Sequence, residues 1–147
     1  MCVAAIIPAL NEEATIGKVL AAVRQSPLVN EIVVVNDGST DQTSAMAKAR
    51  GVTVLDLPQN QGKGGAITQG LRLTDAEILL FLDADLVGLT IAHVSALLNP
   101  ILKQGQVMSL GIIDRGKIWT WLTFLFKRRD LPWMTLTVTV TPSCTRS

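Results

Sequence analysis

The chain has 147 residues, of which 48% are hydrophobic and 17% are charged, and its formal net charge is +1 at pH 7. This length supports one domain with a hydrophobic core, and the apolar content argues against disorder. The near-neutral charge gives no reason to expect a nucleic-acid partner. The two cysteines, Cys2 and Cys144, lie at opposite ends and lack metal-site spacing, so we expect a reducing, cytoplasmic environment.

Residues 3–7 form an apolar run that predicts a first strand. No signal peptide is predicted before it. Pro8 is expected to end this strand, because proline cannot sit inside a central strand. Asn11 is then the expected N-cap of a helix. The apolar positions of that helix recur at helical spacing and are Ile16, Val19, Leu20 and Val23.

The β-branched run at 31–35 predicts a second strand. Ser39 with Gln42 three residues later fits a capping box, which predicts a second helix that ends at Gly51. Residues 53–57 predict a short third strand. The chain to this point therefore alternates strand and helix.

A glycine-rich loop is expected at 58–65, followed by a helix at 66–73 and a strongly apolar strand at 77–82. Thr90 is expected to start a fourth helix, which Pro100 breaks or restarts. Residues 107–113 predict a further strand. Alternating strands and helices predict one α/β domain with a mostly parallel, Rossmann-like sheet and helices on both faces.

The remaining residues give a weaker pattern. The apolar stretch at 118–126 is about half of the ~20 residues that a membrane span needs, so no transmembrane helix is predicted. A helix facing the core is the favoured interpretation. Peripheral contact with a membrane surface is the alternative, because aromatic residues here precede a basic run at 127–129. Residues 135–141 alternate as a half-exposed strand would.

Asp83 and Asp85 directly follow the apolar strand at 77–82. In open α/β sheets, ligands bind beyond the carboxyl ends of the strands. Alternate residues of an extended strand point the same way, so the two carboxylates are expected to converge. Hard oxygen ligands suit Mg²⁺ or Mn²⁺, with phosphate oxygens completing the shell. An isolated D-x-D more often marks a polar strand exit, so this interpretation depends on the neighbouring motifs.

Polar clusters also follow the first two strands, at 8–13 and 36–41, and a parallel sheet gathers all three clusters at one edge. The glycine-rich loop adds backbone N–H groups and Lys63, which can meet a phosphate at a helix N-terminus. The loop is neither a P-loop, since Gly64 follows Lys63, nor a dinucleotide fingerprint, since residue 67 is Ile67. This chemistry suits a nucleoside diphosphate with a leaving group attached.

Four motifs in this order resemble family-2 glycosyltransferases of the GT-A fold. They are IIPALNEE at 6–13, VNDGSTD at 35–41, NQGKGGA at 60–66 and FLDADL at 81–86. The resemblance covers about residues 3–113 and is nearest to the branch that holds polyprenyl-phosphate sugar transferases and glucosyl-3-phosphoglycerate synthases. It implies transfer of a sugar from a UDP- or GDP-linked donor to a lipid phosphate or a small-molecule acceptor.

The resemblance also implies site residues. Those bordering or hydrogen-bonding the nucleotide would be Pro8, Ala9, Leu10, Glu12 and Asp37. Lys63 would approach the base, ribose or diphosphate. Asp83 and Asp85 would be the catalytic pair: Asp83 would contact ribose or sugar and share the metal site, and Asp85 would be the Mg²⁺ or Mn²⁺ ligand proper. That metal would act as a Lewis acid on the leaving diphosphate.

The family places acceptor recognition after the region that ends near Asp114 here, and the later residues have no recognisable counterpart. We therefore expect a nucleotide-sugar-binding core at 1–114 and an incomplete or atypical acceptor-side segment at 115–147, as in a truncated chain. Two other classes stay open. A non-catalytic nucleotide-sugar-binding module would bind without turnover. A nucleotidyltransferase would place a glycine- and arginine-rich loop where this chain has Pro8-Ala9-Leu10-Asn11. The sequence does not indicate an oligomeric state.

Overall fold

The computed structural model of the chain describes residues 1–111 and 123–127. These residues form one six-stranded sheet with four helices. The strands are β1 (Val3–Ala9), β2 (Glu31–Asn36), β3 (Thr53–Asp56), β4 (Ile78–Phe81), β5 (Met108–Gly111) and β6 (Thr123–Lys127). The helices are α1 (Ile16–Arg24), α2 (Thr43–Lys48), α3 (Gly62–Leu71) and α4 (Ile91–Gln104).

The strand order in the sheet is β3-β2-β1-β4-β6-β5. The first four strands in that order are parallel, and Ala5 at the centre of β1 pairs with Ile32 on one side and Leu80 on the other. β6 runs antiparallel to both of its neighbours, β4 and β5. The expected mostly parallel α/β sheet is therefore confirmed.

Both faces of the sheet are covered by helices, which is why β1, β4 and the centre of β2 are apolar. Alternate β1 residues such as Ile7 pack with α1 and α4 on one face. Ile6 packs with α3 on the other face. Ile6 and Ile7 are both fully buried, and burying each such side chain contributes about 1.5–3 kcal/mol of transfer free energy.

Gly70 brings α3 unusually close to the sheet. A Cβ atom at this position would lie 2.8 Å from Cγ2 of Ile6 and 3.0 Å from Cγ2 of Val35. Only a residue without a side chain fits at that separation. The close approach fixes the distance between the last turn of α3 and strands β1 and β2.

Pro8 does not end the first strand as predicted, because β1 continues through Pro8 to Ala9. Pro8 pairs with Val35 of β2, but β4 has already ended at Phe81, opposite Ile6. β1 therefore has a strand neighbour on one side only at this point. A residue without an N–H group is tolerated where one side of the strand needs no donor.

The predicted caps of α1 and α2 are also wrong. α1 begins at Ile16 after a turn, and α2 begins at Thr43, and no side chain caps either N-terminus from the N-cap position. Asn11 and Ser39 lie several residues before these helices. Their side chains instead accept hydrogen bonds from each other's loops, from the N–H groups of Thr40 and Asn11 respectively.

The glycine-rich loop was predicted to end at residue 65, but α3 already begins at Gly62. The Asn60 carboxamide accepts a hydrogen bond of 2.7 Å from the N–H of Gly62, which satisfies one of the free donors of the first turn. Pro100 does not break α4 either. It is buried within the helix, where apolar packing offsets the missing hydrogen bond, and α4 ends at Gln104, with Gly105 as its C-cap at φ +68°.

The predicted helix at 118–126 is wrong where the structure describes it, because residues 123–127 are strand β6. An apolar run without clear periodicity fits either element, and pairing with β4 and β5 selects the strand. The predicted strand at 135–141 and residues 112 and 113 of the predicted fifth strand lie outside the described residues. Across residues 1–111 and 123–127, no helix is long and apolar enough to cross a membrane.

Candidate functional site

A cleft of about 330 Å³ lies at the carboxyl ends of β1, β2 and β4, beside the first turn of α3. All of the site residues predicted from the sequence line it, and Asn60, Gly62 and Ala84 line it with them. The predicted site residues are Pro8, Ala9, Leu10, Glu12, Asp37, Lys63, Asp83 and Asp85. Asn60 was not among the predicted residues. It reaches the cleft because the β3–α3 loop folds back against the end of β2 at Gly38.

The β1 side of the cleft is formed by the end of the strand and the turn after it. Ala9 is buried, Leu10 is 40% exposed, and Asn11 adopts a left-handed conformation with φ +54° that redirects the chain. Glu12 follows at the cleft, half-buried. Its carboxylate accepts a hydrogen bond of 2.9 Å from the Thr15 hydroxyl, so its orientation is set within its own turn.

Asp37 lies between the end of β1 and the start of α3 and is bonded to both. It is only 4% exposed, and its N–H donates to the carbonyl of Ala9 at 2.9 Å. Its carboxylate accepts a hydrogen bond of 2.7 Å from the N–H of Gln61, just before α3. Next to it, Gly38 has φ +78°, and a Cβ there would lie 2.9 Å from the backbone nitrogen of Asn60. The end of β2 is thus held directly against the start of α3.

Lys63 and Asp83 form an ion pair across the cleft. Lys63 lies in the first turn of α3 and its side chain is 49% exposed, whereas the Asp83 side chain, just past β4, is 20% exposed. The ammonium therefore offsets the charge of one of the two carboxylates that follow β4. Because the pair is partly exposed, its net contribution to folding stability is small, roughly 0–1 kcal/mol.

Asp83 and Asp85 both reach the cleft, but not by the strand alternation that predicted it. β4 ends at Phe81, and Asp85 lies in a turn. Among the described residues, no three or more histidine, cysteine or acidic side chains form a group able to hold a metal. Two carboxylates nonetheless fit Mg²⁺ or Mn²⁺, since such ions often take one or two protein carboxylates and complete their shell with substrate phosphates.

The loops after β1 and β2 are joined by hydrogen bonds that the sequence analysis missed. Each is a backbone N–H group of one loop bound to a side chain of the other. The bonds of this inter-loop network are Asn11 to Ser39 (2.9 Å), Glu12 to Thr43 (2.8 Å), Glu13 to Asp41 (3.1 Å), Thr40 to Asn11 (2.9 Å) and Gln42 to Glu13 (2.9 Å). The short polar side chains in both motifs were the available signal, but local capping explained them equally well.

Asp41 accepts one of these bonds, from the N–H of Glu13, and two more from the N–H and hydroxyl groups of nearby Thr43. Partial desolvation acts to raise the pKa of its carboxyl, but hydrogen bonds from the Thr43 hydroxyl and from the N–H groups of Thr43 and Glu13 outweigh it and lower the pKa. Asp41 is therefore a carboxylate at neutral pH, as its acceptor role in the network requires.

A mostly parallel sheet with a cleft beyond the carboxyl ends of its strands, lined in part by charged side chains, defines an α/β protein of the doubly wound class. The family follows from comparison with known sequences. The chain belongs to glycosyl transferase family 2, whose family model matches residues 4–142.

Curated relatives agree with this membership. The chain is 36% identical over 109 residues to glucosyl-3-phosphoglycerate synthase of Mycolicibacterium smegmatis, which covers 68% of this chain and 36% of that protein. It is 38% identical over 106 residues to 4,4'-diaponeurosporenoate glycosyltransferase of Staphylococcus aureus, covering 69% of this chain and 28% of that protein. The chain thus spans about a third of the length of these relatives.

Solved structures show the same fold. A crystal structure of Mycobacterium tuberculosis glucosyl-3-phosphoglycerate synthase matches with a TM-score of 0.76 and 27% identity, over 87% of this chain and 57% of that one. The same enzyme in complex with Mn²⁺, UDP-glucose and phosphoglyceric acid matches with a TM-score of 0.76 and 26% identity, over the same shares of the two chains. The GT-A fold expected from the four motifs is therefore confirmed.

Proposed function

We propose that this chain binds the nucleoside-diphosphate sugar of a metal-dependent glycosyltransferase. The observation that carries the proposal is the cleft, which brings the polar residues of three separate strand ends together with Lys63 at the start of α3. A buried carboxylate at Asp37, a cation at Lys63 and two carboxylates past β4 offer contacts to base, phosphate and metal in one cavity.

A uridine donor is favoured over a guanosine donor. The Mycobacterium tuberculosis enzyme has been crystallised with UDP and with UDP-glucose, in both cases with Mn²⁺. By the family resemblance, Asp37 hydrogen-bonds the base, and Pro8 to Leu10 with Glu12 border the nucleoside. The Asp37 carboxylate already holds Gln61 through one oxygen, so it is fixed in place before a base binds.

Asp85 and Asp83 are the residues of this chain that would hold Mg²⁺ or Mn²⁺. The metal, when bound, supplies Lewis-acid stabilisation of the diphosphate leaving group. The remaining work falls to the chain itself. Lys63 neutralises Asp83 and offers a positive charge to an anion at the first turn of α3. The backbone at Gly62 and Gly64 leaves room for that anion, because a Cβ atom on either residue would have no other atom within 4 Å.

The acceptor is proposed to be a lipid phosphate or a small molecule, recognised by residues after the donor-binding part. We assign the donor-binding part to 1–114 and the acceptor side to 115–147. The names of the two curated relatives refer to chemically different acceptors, a phosphoglycerate and a diaponeurosporenoate. Acceptor choice therefore varies among proteins that share the donor-side motifs.

We place the protein in the cytoplasm, with contact at the inner face of the membrane if the acceptor is a lipid phosphate. The support for the compartment is the free thiol of Cys2, which is exposed to solvent. The support for surface contact is the sequence alone, in the aromatic residues that precede the basic run at 127–129.

The test is titration calorimetry of the chain with UDP, UDP-glucose and GDP, each in Mn²⁺ and in EDTA. We expect UDP and UDP-glucose to bind in Mn²⁺ and to lose most of their affinity in EDTA. The Asp85→Asn variant should lose the same metal-dependent part of its UDP affinity, because the substitution removes one hard anionic ligand of the metal. Asp75→Asn, on the exposed turn before β4 at the opposite edge of the sheet, is the matched control and should bind as the wild type does. Equal affinity in Mn²⁺ and EDTA would contradict the proposal.

A further inference from the structure

Thr43 occupies a position between two walls of the cleft without touching the cleft itself. It is the first residue of α2 and is fully buried. Its hydroxyl accepts a hydrogen bond of 2.8 Å from the N–H of Glu12. The same hydroxyl donates to the Asp41 carboxylate, whose other oxygen accepts from the N–H of Glu13 at 3.1 Å.

These hydrogen bonds connect two loops that each contribute a residue to the cleft. Glu12 lines the cleft from the β1–α1 loop. Asp41 belongs to the β2–α2 loop, which begins at the cleft residue Asp37. The Thr43 hydroxyl therefore links the two loops within the inter-loop network. We infer that this link sets the position of Glu12 relative to Asp37.

We propose that Thr43 is a positioning residue for the nucleotide of the donor, acting through the backbone of Glu12. The inference rests on the proposed function of the cleft. The position requires a group that accepts one hydrogen bond and donates another within a buried site, which a threonine or serine hydroxyl does and a valine of the same shape does not. Without the Thr43 hydroxyl, the N–H of Glu12 has no acceptor, and we expect the β1–α1 loop to shift until this N–H group finds another one.

The chain contains a matched control for this substitution. Thr74 is also buried, at 5% exposure, and its hydroxyl donates to the Glu31 carboxylate at 2.5 Å and accepts from the N–H of Ala76 at 3.2 Å. Thr74 thus uses its hydroxyl as Thr43 does, toward one carboxylate and one backbone N–H group. It lies before β4, at the edge of the sheet opposite the cleft. Thr74→Val therefore reproduces the loss of stability without touching the donor side.

The experiment compares the wild type with Thr43→Val, Thr43→Ser and Thr74→Val in two measurements. The first is amide hydrogen exchange without ligand, which reports on local opening. The second is UDP affinity in Mn²⁺ by calorimetry. We expect Thr43→Val to speed exchange at Glu12 and Glu13 and to weaken UDP binding roughly tenfold, as small displacements in preorganised sites do. Thr43→Ser should restore both, and Thr74→Val should lower the melting temperature but leave both unchanged.

Three results would overturn the inference. Unchanged exchange at Glu12 in Thr43→Val would show that the hydroxyl does not hold the loop. Equal UDP affinity in Thr43→Val and the wild type would show that the loop position does not matter to the nucleotide. Equal weakening in Thr43→Val and Thr74→Val would reduce the effect to general stability. Failure of the proposed function is recognised separately, because the wild type itself would then not bind UDP.

Discussion

The ion pair between Lys63 and Asp83 determines the charge that a ligand meets in the cleft. With the pair formed, Asp85, Glu12 and Asp37 are the remaining carboxylates among the lining residues. A nucleoside diphosphate is itself strongly negative, so carboxylates in the cleft oppose its binding. In the proposed function, a metal held by Asp83 and Asp85 would compete with Lys63 for Asp83, which would leave the lysine ammonium available to the phosphates.

Lys63→Ala should therefore change the affinities for Mn²⁺ and for UDP in opposite directions. Mn²⁺ alone should bind more tightly, since Asp83 no longer has its competing cation, whereas UDP should bind about 1.5–3 kcal/mol more weakly through loss of a charge-assisted contact. Uridine should be affected far less. Calorimetry with Mn²⁺, UDP and uridine measures the three, and Lys18→Ala on the exposed face of α1 is the control. Equal losses for uridine and UDP would show that Lys63 does not meet phosphate.

Asp56, at the end of β3, illustrates a charge effect outside the cleft. The hydrogen bond from Lys48 is the largest of the effects that lower the pKa of Asp56 to about 2, and the Asn36 carboxamide donates a further hydrogen bond to the same carboxylate. Since the folded pKa lies below the ordinary value of 3.8, the pair stabilises the fold above pH ~4 and this contribution is lost as the pH falls from ~4 to ~2. Both side chains are more than 40% exposed, so we expect less than about 1 kcal/mol.

Lys48→Met tests this pair. We expect the pKa of Asp56, followed by carboxyl NMR shifts, to rise toward 3.8 in the variant. The free energy of unfolding should fall slightly at neutral pH, and the difference from wild type should disappear near pH 2 and shrink in high salt. Lys103→Met in the last turn of α4 should leave the Asp56 titration unchanged. A difference that persists at pH 2 would assign the effect to packing instead.

The lining of the cleft was predictable at the residue scale because most of the predicted residues lie at or just past the ends of β1, β2 and β4, and parallel strands bring their carboxyl ends to one edge. The roles of these residues stay a prediction. The inter-loop network was not predictable in the same way. Ser39 and Asp41 are good local capping residues, and their sequence gives no signal that their partners are 28 residues away in another loop. Contacts of that range follow from the fold and not from local pattern.

At the scale of single elements, α3 depends on Gly70 for its distance from the sheet. Gly70→Ala should destabilise the protein by about 1–3 kcal/mol, because the new methyl group overlaps Ile6 and Val35 and outweighs the better helix propensity of alanine. Gly64→Ala in the same helix is the control. Its Cβ meets nothing within 4 Å, so it should be neutral or stabilising by up to about 1 kcal/mol.

Urea unfolding of both variants measures the difference. Since α3 also carries Lys63, Gly70→Ala should in addition weaken UDP binding. A Gly70→Ala protein as stable as Gly64→Ala would show that the sheet relaxes around the methyl group, and that the close approach is not required.

The existence of elements was predictable, whereas their boundaries were less so. The apolar runs located β1 to β5 and helical spacing located α1, because burial of one face imposes the pattern. Start and stop residues were the signals for α2 and α4. Pro8, Gly62 and Pro100 were each interpreted as interruptions from their local preferences. Tertiary contacts overrode each of these local preferences. β1 lacks a second strand neighbour at Pro8, the Asn60 carboxamide accepts a hydrogen bond from Gly62, and Pro100 is buried within α4.

At the scale of the whole molecule, β6 is the element that joins β5 to the rest of the sheet. Its backbone pairs with Leu80 of β4 and Ser109 of β5 at the same residue, Leu125. Among the described strands, β5 has no other strand neighbour. The sheet therefore includes part of the segment that we assigned to the acceptor side, and the boundary near residue 114 remains a proposal about function.

Leu125→Pro should remove a hydrogen-bond donor from the centre of β6 and open the sheet between β4 and β5. We expect a lower melting temperature and faster amide exchange at Leu79 and Leu80. Val138→Pro is the counterpart in the segment after Lys127, which we predict to be peripheral, and it should leave both quantities unchanged. Unaltered protection in Leu125→Pro would show that β6 contributes little. A large effect of Val138→Pro would show that the later residues belong to the cooperative unit.

The position of β6 also constrains the order in which the protein is built during translation. Residues up to Phe81 complete the four parallel strands as they leave the ribosome, and each new strand except β3 can add directly beside β1. β5 is synthesised next but must wait, because its neighbour β6 lies later in the chain. Among the described strands, only β6 covers the edge of β4 at Ile78, Leu79 and Leu80, so we expect this edge to stay open to pairing with other nascent chains until residue 127 has emerged.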